Sequence, residues 1–396
     1  MISPREHGMT SDFWNLQIET ELDRCAAIWQ AFERDAVASP YQGHAWISSW
    51  WRHVEAREGA VPRIVMLRRN GTLAAIIPLV LRRHMGAKVA GMIGGKHFNY
   101  QAPVWRPELF DATARDAMPQ TLRVIARTIG ADLIELTNLP REWNAKANPL
   151  ALETASASPS PSYMLPLSGS FTEICEARRS KKSLQQLRRK RKKLEGLSGS
   201  VRFLQARDEA TCAMVLRAAA AHREARRVAS GVPSFFEMAG SEAFLRESAC
   251  AGLMAHDGGD GSLLSAVRLH YLQAGDTVVA TYIGAALNGV YSCFVNSFDS
   301  AFEACSPGDI LLHDLIEALC EQGIQSFDLG VGEERYKKAW CDPVTLYSLR
   351  IPITPRGWIY SNAARVSQDG KRLIKQNPML WRGWRSVRRL ASRKSA

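Results

Sequence analysis

Residues 306–332 predict one helix that leads directly into one buried strand, and this unit constrains the fold more than any other stretch. Ser306 and Pro307 are typical of a helix start, and Asp309 completes a Ser-x-x-acid signal in the first turn. Gly323 ends the helix, and a short apolar run follows at 324–329. The predicted buried face of the helix consists of Leu311, Leu312, Leu315, Ile316 and Leu319. A helix coupled to a buried strand in this way favours an α/β fold.

The predicted strand ends in a glycine turn and a group of ionisable side chains. Gly330-Val331-Gly332 allows a sharp turn, and six ionisable residues follow without a gap at 333–338. Acid, phenol and amine groups after a strand can supply proton transfer. At the other end of the unit, the glycine-bearing helix start offers backbone N–H groups to an anion such as a pyrophosphate. The unit therefore indicates both anion binding and proton transfer.

Two motifs in this unit resemble a known family. Ser306-Pro307-Gly308 and the later run Phe327-Asp328-Leu329-Gly330-x-Gly332-Glu333-Glu334-x-Tyr336-Lys337 resemble CelD/BcsL-type acyltransferases, which are associated with cellulose and exopolysaccharide synthesis. These enzymes belong to the GNAT superfamily and are close in architecture to the FemAB/FemX peptidoglycan enzymes. The resemblance extends more weakly over 40–360 and implies an α/β fold of two GNAT-like halves with mixed sheets. It also implies acyl-CoA as co-substrate and no metal.

The order of predicted elements recurs in the two parts of the chain. Each part has a hairpin, a helix ended by glycine and a short strand, and the Ser/Pro-rich segment 156–162 has the composition of a linker. We therefore expect an N-terminal GNAT-like domain over 1–165 and a C-terminal GNAT-like acyltransferase domain over 166–360. The second domain is expected to include a basic helix at 171–197. A basic amphipathic tail is expected at 361–396.

The resemblance also implies where an acyl donor binds. In GNAT folds two neighbouring parallel strands splay apart around the thioester arm of coenzyme A, and the pyrophosphate rests on the next helix start. The corresponding strands here are 291–298 and 324–329. The implied cofactor contacts are Ser306, Pro307, Gly308, Phe298 and Asp299. Two features depart from the family pattern: the usual Gln/Arg-x-x-Gly-x-Gly/Ala motif is absent, and Asp309 places a negative charge where a phosphate would lie.

Acyl transfer to an amine or hydroxyl requires a base for the acceptor and an acid for the departing thiolate. The catalytic candidates are Asp328 and Glu333 as bases, Tyr336 as acid and Lys337 as an electrostatic or phosphate contact. For each of them the alternative is a solvated charge or phenol after a strand. The substrate-binding candidates lie in the first half and are Asn99, Tyr100 and Trp46. Their alternative role is packing in a turn or in the core.

Positive charge is concentrated in two segments. The net charge is +12, yet residues 178–194 hold ten lysines and arginines without an acid, and residues 371–396 hold nine. The remainder is mildly acidic, so the pattern indicates an anionic partner. In the tail, Trp381 and Trp384 lie on a predicted amphipathic helix that begins at Leu380, a combination suited to an anionic membrane surface.

Other sequence features favour a cytoplasmic protein. The longest uncharged apolar run, Leu73–Leu81, is too short to span a bilayer, and the first residues lack the apolar stretch of a signal peptide. The eight cysteines show no metal-ligand spacing, which favours free thiols.

The sequence thus predicts a cytoplasmic N- or O-acyltransferase that acts on a saccharide precursor, lipid-linked or carried on a nucleotide, for an extracellular polysaccharide. The protein is expected to associate peripherally with the inner membrane face. One alternative is a FemAB-like transferase that uses aminoacyl-tRNA. Another is a non-catalytic accessory that binds polysaccharide precursors.

Overall fold

The computed structural model describes residues 9–10, 13–58, 60–257 and 266–376. Within them the chain forms two compact units. Unit 1 takes in the described residues up to Pro159 together with Thr345–Leu373, and unit 2 takes in those from Ser160 to Val344 together with 374–376. Each unit is built around its own β-sheet.

Both units contain strands and helices. The strands are β1 (Met9–Thr10), β2 (Asn15–Glu19), β3 (Val61–Arg69), β4 (Thr72–His84), β5 (Ala87–Met92), β6 (Val104–Trp105), β7 (Leu133–Leu139), β8 (Glu142–Trp143), β9 (Lys146–Ala147), β10 (Ser156–Ala157), β11 (Ser162–Pro166), β12 (Val201–Gln205), β13 (Ala266–Ala274), β14 (Thr277–Leu287), β15 (Val290–Phe298), β16 (Ser326–Val331), β17 (Pro343–Val344) and β18 (Tyr347–Pro352). The helices are α1 (Leu22–Glu33), α2 (His44–His53), α3 (Ala112–Thr128), α4 (Phe171–Arg178), α5 (Lys181–Ser198), α6 (Glu209–Ser230), α7 (Ser241–Asp257), α8 (Pro307–Glu321), α9 (Arg335–Lys338) and α10 (Pro355–Gln376).

Unit 1 contains a mixed sheet with the strand order β1-β2-β3-β4-β5-β7-β18-β10, and β6 pairs with β4. The β3–β4 hairpin turns at Asn70 and Gly71, both with positive φ, as the Asn-Gly signal predicts. Strands β5 and β7 are parallel, and the chain between them includes α3. The other neighbouring pairs in this sheet are antiparallel.

Unit 2 repeats this plan with the strand order β12-β13-β14-β15-β16-β11-β17. Its hairpin is β13–β14, and its parallel pair is β15–β16, linked through α8. All five residues predicted for the buried face of α8 are buried, together with Pro307 and Ile310, and α8 packs on β13, β14 and β15. The predicted α/β fold with two similar mixed-sheet halves is confirmed.

The unit boundaries differ from the predicted domain boundaries. The chain enters unit 2 after Pro159, inside the predicted linker, but it returns to unit 1 at Thr345 rather than remaining in unit 2 until residue 360. The reason is that β18 forms an antiparallel ladder with β7, and Arg350 Nε donates to Glu135 Oε1 at 2.7 Å across it. The predicted linker also contains paired residues, since it includes β10 and begins β11.

The prediction of a single basic helix over 171–197 is wrong, because two helices occupy this segment. Ser170 and Glu173 form a capping box at the start of α4, and Ser180 caps α5 by accepting from the Ser183 N–H. Arg179 between them is extended, with φ −123° and ψ 133°. The break lets the Arg179 side chain turn into the protein, where it is buried.

In the described part of the chain, none of the helices is both long and apolar enough to cross a membrane. Helix α10 covers the first part of the predicted tail. The amphipathic helix predicted from Leu380 lies outside the described residues.

Candidate functional site

The parallel strands β15 and β16 diverge in unit 2. Their ladder pairs Val290 with Ser326 and ends where Ser292 lies opposite Asp328. Beyond that point β15 stays paired with β14 as far as Phe298, while β16 is paired with β11 on its other edge. A gap between two parallel strands therefore opens toward their carboxyl ends, as predicted for segments 291–298 and 324–329.

A β-bulge lies in β15 just beyond the point of divergence. Ile283 pairs with Val295 and Gly284 with Cys293, so Phe294 is an extra residue on β15. Gly284 is required there, because a Cβ would meet the Ser292 carbonyl oxygen at 2.6 Å. The bulge bends β15 beside the gap.

A pocket of about 510 Å³ lies beside this gap, formed entirely by unit 2. The end of β15, the start of α8, helix α6 and the segment before α9 contribute to its wall. Its lining includes Phe298, Ser306, Gly308, Asp309, Glu334, Tyr336, Tyr282, Asn296, His222, Arg223 and Arg226. Candidate cofactor contacts and the candidate acid Tyr336 thus share one pocket.

At the start of α8, Ser306 interacts with the basic helix rather than with α8. Pro307 is the first helical residue, as predicted, but the Ser306 side chain makes no capping bond. Its backbone is left-handed, with φ 49°, and its Oγ accepts a hydrogen bond from Lys190 Nζ at 2.7 Å. Ser306 therefore occupies the predicted N-cap position, but its side chain binds a cation from α5 instead of capping the helix.

Asp309 is also neutralised by a cation. Its two carboxylate oxygens accept from the Arg179 guanidinium at 3.2 and 3.3 Å, and that guanidinium lies 5.1 Å from the centre of the Trp340 ring. The charge that was expected to oppose a phosphate is thus held in an ion pair with a buried arginine. The wall beside Gly308 has room for a small side chain, because a Cβ there would approach Phe298 only to an ordinary 3.7 Å.

Tyr336 lies in a hydrogen-bonded position inside the pocket. Its hydroxyl oxygen accepts from Asn296 Nδ2 at 2.8 Å. Burial, followed by the nearby Glu334 charge, raises the pKa of Tyr336 well above its usual value. The phenol therefore keeps its proton at neutral pH and can donate it.

Glu334, to which the sequence analysis gave no role, is the carboxylate that lines the pocket beside Tyr336. It lies 3.7 Å from Arg226 Nη2 and 3.7 Å from Lys337 Nζ. Glu333 is exposed instead and pairs with Lys338 at 3.3 Å. Glu334 has an extended backbone, in which neighbouring side chains point to opposite sides. This alternation separates the exposed Glu333 from Glu334, which lines the pocket.

Asp328 and Lys337 hold the backbone at the end of β16 and do not line the pocket. The Asp328 carboxylate is buried and accepts from the Gly330 N–H at 2.7 Å. Lys337 Nζ is also buried and donates to the carbonyl oxygens of Gly330 and Val331 at 3.3 and 3.1 Å. These contacts fix the segment that carries Glu334 and Tyr336.

Helix α6 supplies the part of the pocket that the sequence analysis missed. His222 Nδ1 lies 3.1 Å from Ser297 Oγ, and burial lowers the pKa of His222. Burial also lowers the pKa of Arg223. His222, Arg223 and Arg226 lie within five residues of one helix, and this cluster of ionisable side chains was the sequence feature that could have indicated them.

The remaining candidates lie elsewhere. Asp299 caps the short helix Ser300–Cys305 by accepting from the Ala301 N–H, and it does not line the pocket. The three substrate-binding candidates belong to unit 1. Trp46 and Tyr100 are buried, Trp46 lies edge-on to the Tyr41 ring, and Asn99 Nδ2 donates to the Tyr41 hydroxyl at 2.8 Å.

One group of described side chains has the spacing of metal ligands: His313, Asp314 and Glu317 on α8. Arg191 Nη1 donates to both oxygens of Asp314, at 3.0 and 2.7 Å. Because the Arg191 guanidinium binds both oxygens of Asp314, the middle residue of the group, the group forms an ion-paired cluster.

Comparisons with known proteins identify the domain that carries the pocket. Residues 181–338 match the family model described as an acetyltransferase (GNAT) domain. No curated protein matches the chain in sequence.

Three solved structures illustrate the similarity in fold. FemX covers 85% of this chain and 97% of its own, with 10% identity and a TM-score of 0.55. A conserved protein of unknown function from Bacteroides thetaiotaomicron VPI-5482 covers 84% and 97%, with 11% identity and a TM-score of 0.50. A tandem GNAT protein from the clavulanic acid biosynthesis pathway covers 86% and 99%, with 10% identity and a TM-score of 0.45. The chain therefore shares its fold with FemX, and residues 181–338 of its second unit are similar to a GNAT acetyltransferase domain.

Proposed function

We propose that unit 2 transfers an acyl group from acyl-CoA to an amine or hydroxyl of a saccharide precursor. The proposal rests on the pocket at the diverging ends of β15 and β16, which is lined by the start of α8 and by Tyr336. The saccharide acceptor and its use in an extracellular polysaccharide rest on the resemblance of the 306–308 and 327–337 motifs.

The pocket and its surroundings offer contacts to two parts of the donor, the pantetheine arm and the diphosphate. The amides of the pantetheine arm can hydrogen-bond to the strand edge opened where the β15–β16 ladder ends. The diphosphate would lie at the N-terminus of α8, where the helix dipole favours an anion. Lys190 adds a full positive charge there, and Arg179 offsets the charge of Asp309.

The chain's own groups can perform both proton transfers. As the acceptor nucleophile attacks the thioester carbon, its N–H or O–H proton passes to Glu334. The carbon–sulfur bond then breaks, and the departing sulfur takes the proton of Tyr336. Asn296 orients that hydroxyl through its 2.8 Å hydrogen bond. Proton exchange with solvent restores both groups, so the net products are an acylated acceptor and a free thiol.

The exposed surface of α5 favours aminoacyl-tRNA as a second candidate donor. Six cations of α5 are exposed: Lys181, Lys182, Arg188, Arg189, Lys192 and Lys193. At 100° per residue they occupy a face about 140° wide, a width suited to the phosphates of a polyanion. An aminoacyl-tRNA donor would use this face, and so would an anionic membrane surface that holds the protein peripherally at the inner membrane.

Parallel titrations of the full chain with acetyl-CoA, tRNA and anionic vesicles distinguish these donors and partners. At about a hundred times its dissociation constant, acetyl-CoA should stabilise the protein by roughly 2.7 kcal/mol, which calorimetry will detect as a higher melting temperature. We expect tRNA and vesicle binding to weaken steeply between about 50 and 200 mM salt, because both depend on surface cations. No stabilisation by acetyl-, longer-chain or hydroxyacyl-CoA, together with tight tRNA binding at physiological salt, would assign the donor to tRNA. If the protein binds a precursor but neither donor, it is an accessory.

A further inference from the structure

Arg223 lines the pocket, and one of its buried donor groups lacks a hydrogen-bond partner among the residues that the structure describes. Its Nε is enclosed, yet in the described part of the chain no hydrogen-bond acceptor contacts it. Leaving such a charged donor unsatisfied is costly, so an unpaired group of this kind in a pocket requires its own explanation.

The acid beside Arg223 is already engaged. The Glu334 charge acts on Arg223, but the Glu334 carboxylate lies at 3.7 Å from both Arg226 Nη2 and Lys337 Nζ. Two other cations thus share that carboxylate. The wall of the pocket next to Arg223 therefore has an excess of positive charge.

This excess lies on the acceptor side of the reaction. In the proposed complex the donor's phosphates lie at the start of α8, next to the helix terminus and Lys190. Arg223 lines the pocket together with Arg226, Glu334 and Tyr336, and the charge of Glu334 acts on it. Glu334 and Tyr336 are the groups that would move protons. An anion bound to Arg223 would thus be close to the nucleophile under attack.

We propose that Arg223 binds an anionic group of the acceptor, a carboxylate or a phosphate carried near the nucleophilic amine or hydroxyl. The inference rests on the proposed acyl transfer and narrows its acceptor to acidic molecules, such as uronic acids, amino acids or sugar phosphates. A guanidinium suits both kinds of anion, because its parallel N–H groups match two oxygens of either. Arg223 then acts as a specificity-determining residue, since an acceptor without the anion leaves the guanidinium unpaired.

The first test measures anion binding. The protein is saturated with coenzyme A, which covers the α8 start, and is titrated with inorganic phosphate in one arm and acetate in the other. Binding is followed by the chemical shifts of arginine Nε–H groups and by thermal stability. We expect Arg223→Gln to weaken binding of at least one anion about tenfold or more, and Arg223→Lys to retain part of it. Arg217→Gln is the matched control, because Arg217 is an exposed arginine of the same helix.

The second test measures acceptor choice with matched pairs: glucosamine against glucosamine 6-phosphate, glucose against glucuronate, and glycinamide against glycine. Thiol release from acetyl-CoA should favour the anionic member of a pair, and Arg223→Gln should remove that preference by raising its KM. The pairs also show whether the anion is a carboxylate or a phosphate. Equal anion binding by wild type and Arg223→Gln would overturn the proposal, whatever the acceptor panel shows.

The two proposals fail in different ways. If acyl-CoA does not bind, the proposed transfer fails. The comparison of wild type with Arg223→Gln then still reports on Arg223, because the α8 start is the same in both proteins. If acyl-CoA binds and turns over while Arg223→Gln changes neither anion binding nor acceptor preference, only the acidic acceptor is excluded.

Discussion

Tyr336→Phe should lower the turnover of acetyl-CoA by about a hundredfold or more. The substitution removes only the hydroxyl that would protonate the departing sulfur, and a positioned acid or base usually contributes a factor of about 10²–10⁴. Glu334→Gln should have a similar effect, because it removes the proposed base while keeping the shape of the side chain. The measurement is thiol release from acetyl-CoA, with water as the default acceptor, alongside the dissociation constant for coenzyme A, which should change little.

Glu333→Gln provides a matched control for this prediction. It makes the same chemical change one residue away, on an exposed acid that pairs with Lys338. Turnover of Glu333→Gln should stay close to that of the wild type. A large loss in Glu333→Gln, or full turnover in both Glu334→Gln and Tyr336→Phe, would remove the proposed pair from catalysis.

Leu194→Ala should lower the free energy of unfolding of unit 2 by about 2–5 kcal/mol. Leu194 is fully buried on α5 and belongs to the hydrophobic core of this unit, so the substitution leaves a cavity. The loss should appear as a lower urea midpoint with an unchanged slope. The effect links stability to the site, because α5 also carries Lys190 to the start of α8.

Leu197→Ala makes the same change three residues further along α5, where the side chain is 64% exposed. It should alter the unfolding free energy by less than about 0.5 kcal/mol, as for an ordinary surface substitution. Equal losses from the two variants would mean that α5 does not pack as described.

Local patterns predicted the elements that position the site. The apolar periodicity of α8, the glycines that flank β16 and the two hairpins follow from short-range rules, because a helix or strand records its buried face in its own residues. The parallel β15–β16 pair was expected from the resemblance to GNAT folds, and the structure confirms it.

Contacts between distant residues escaped the sequence analysis. Arg179 pairs with Asp309, 130 positions away, and no local propensity predicts that contact. The helix break itself had local signals, because Ser170 and Ser180 are both helix-start residues. The same pairing overturns the expectation that Asp309 opposes a phosphate. Arg223 could be recognised as unpaired only once the fold had placed it in the pocket.

The choice between neighbouring acids depended on backbone conformation. Glu333 and Glu334 are chemically identical in the sequence, and only the extended backbone at Glu334 and the start of α9 decide which one lines the pocket. Asp328 matched a motif, yet its carboxylate is used to hold the Gly330 N–H. Motif residues thus include positions that shape the turn as well as positions that face the pocket.

The central claim is that acyl-CoA binds at the start of α8, and calorimetric titration of acetyl-CoA into two variants of Gly308 tests it most directly. A Cβ at Gly308 meets Phe298 at an ordinary 3.7 Å, so Gly308→Ala should fold and bind acetyl-CoA within about threefold of the wild type, because such a contact requires no rearrangement. Gly308→Leu places a larger side chain in the wall of the pocket and should weaken binding at least about tenfold without loss of stability, since leucine favours a helix more than glycine does. Equal affinity of Gly308→Leu and wild type, or no binding by the wild type, would contradict the account.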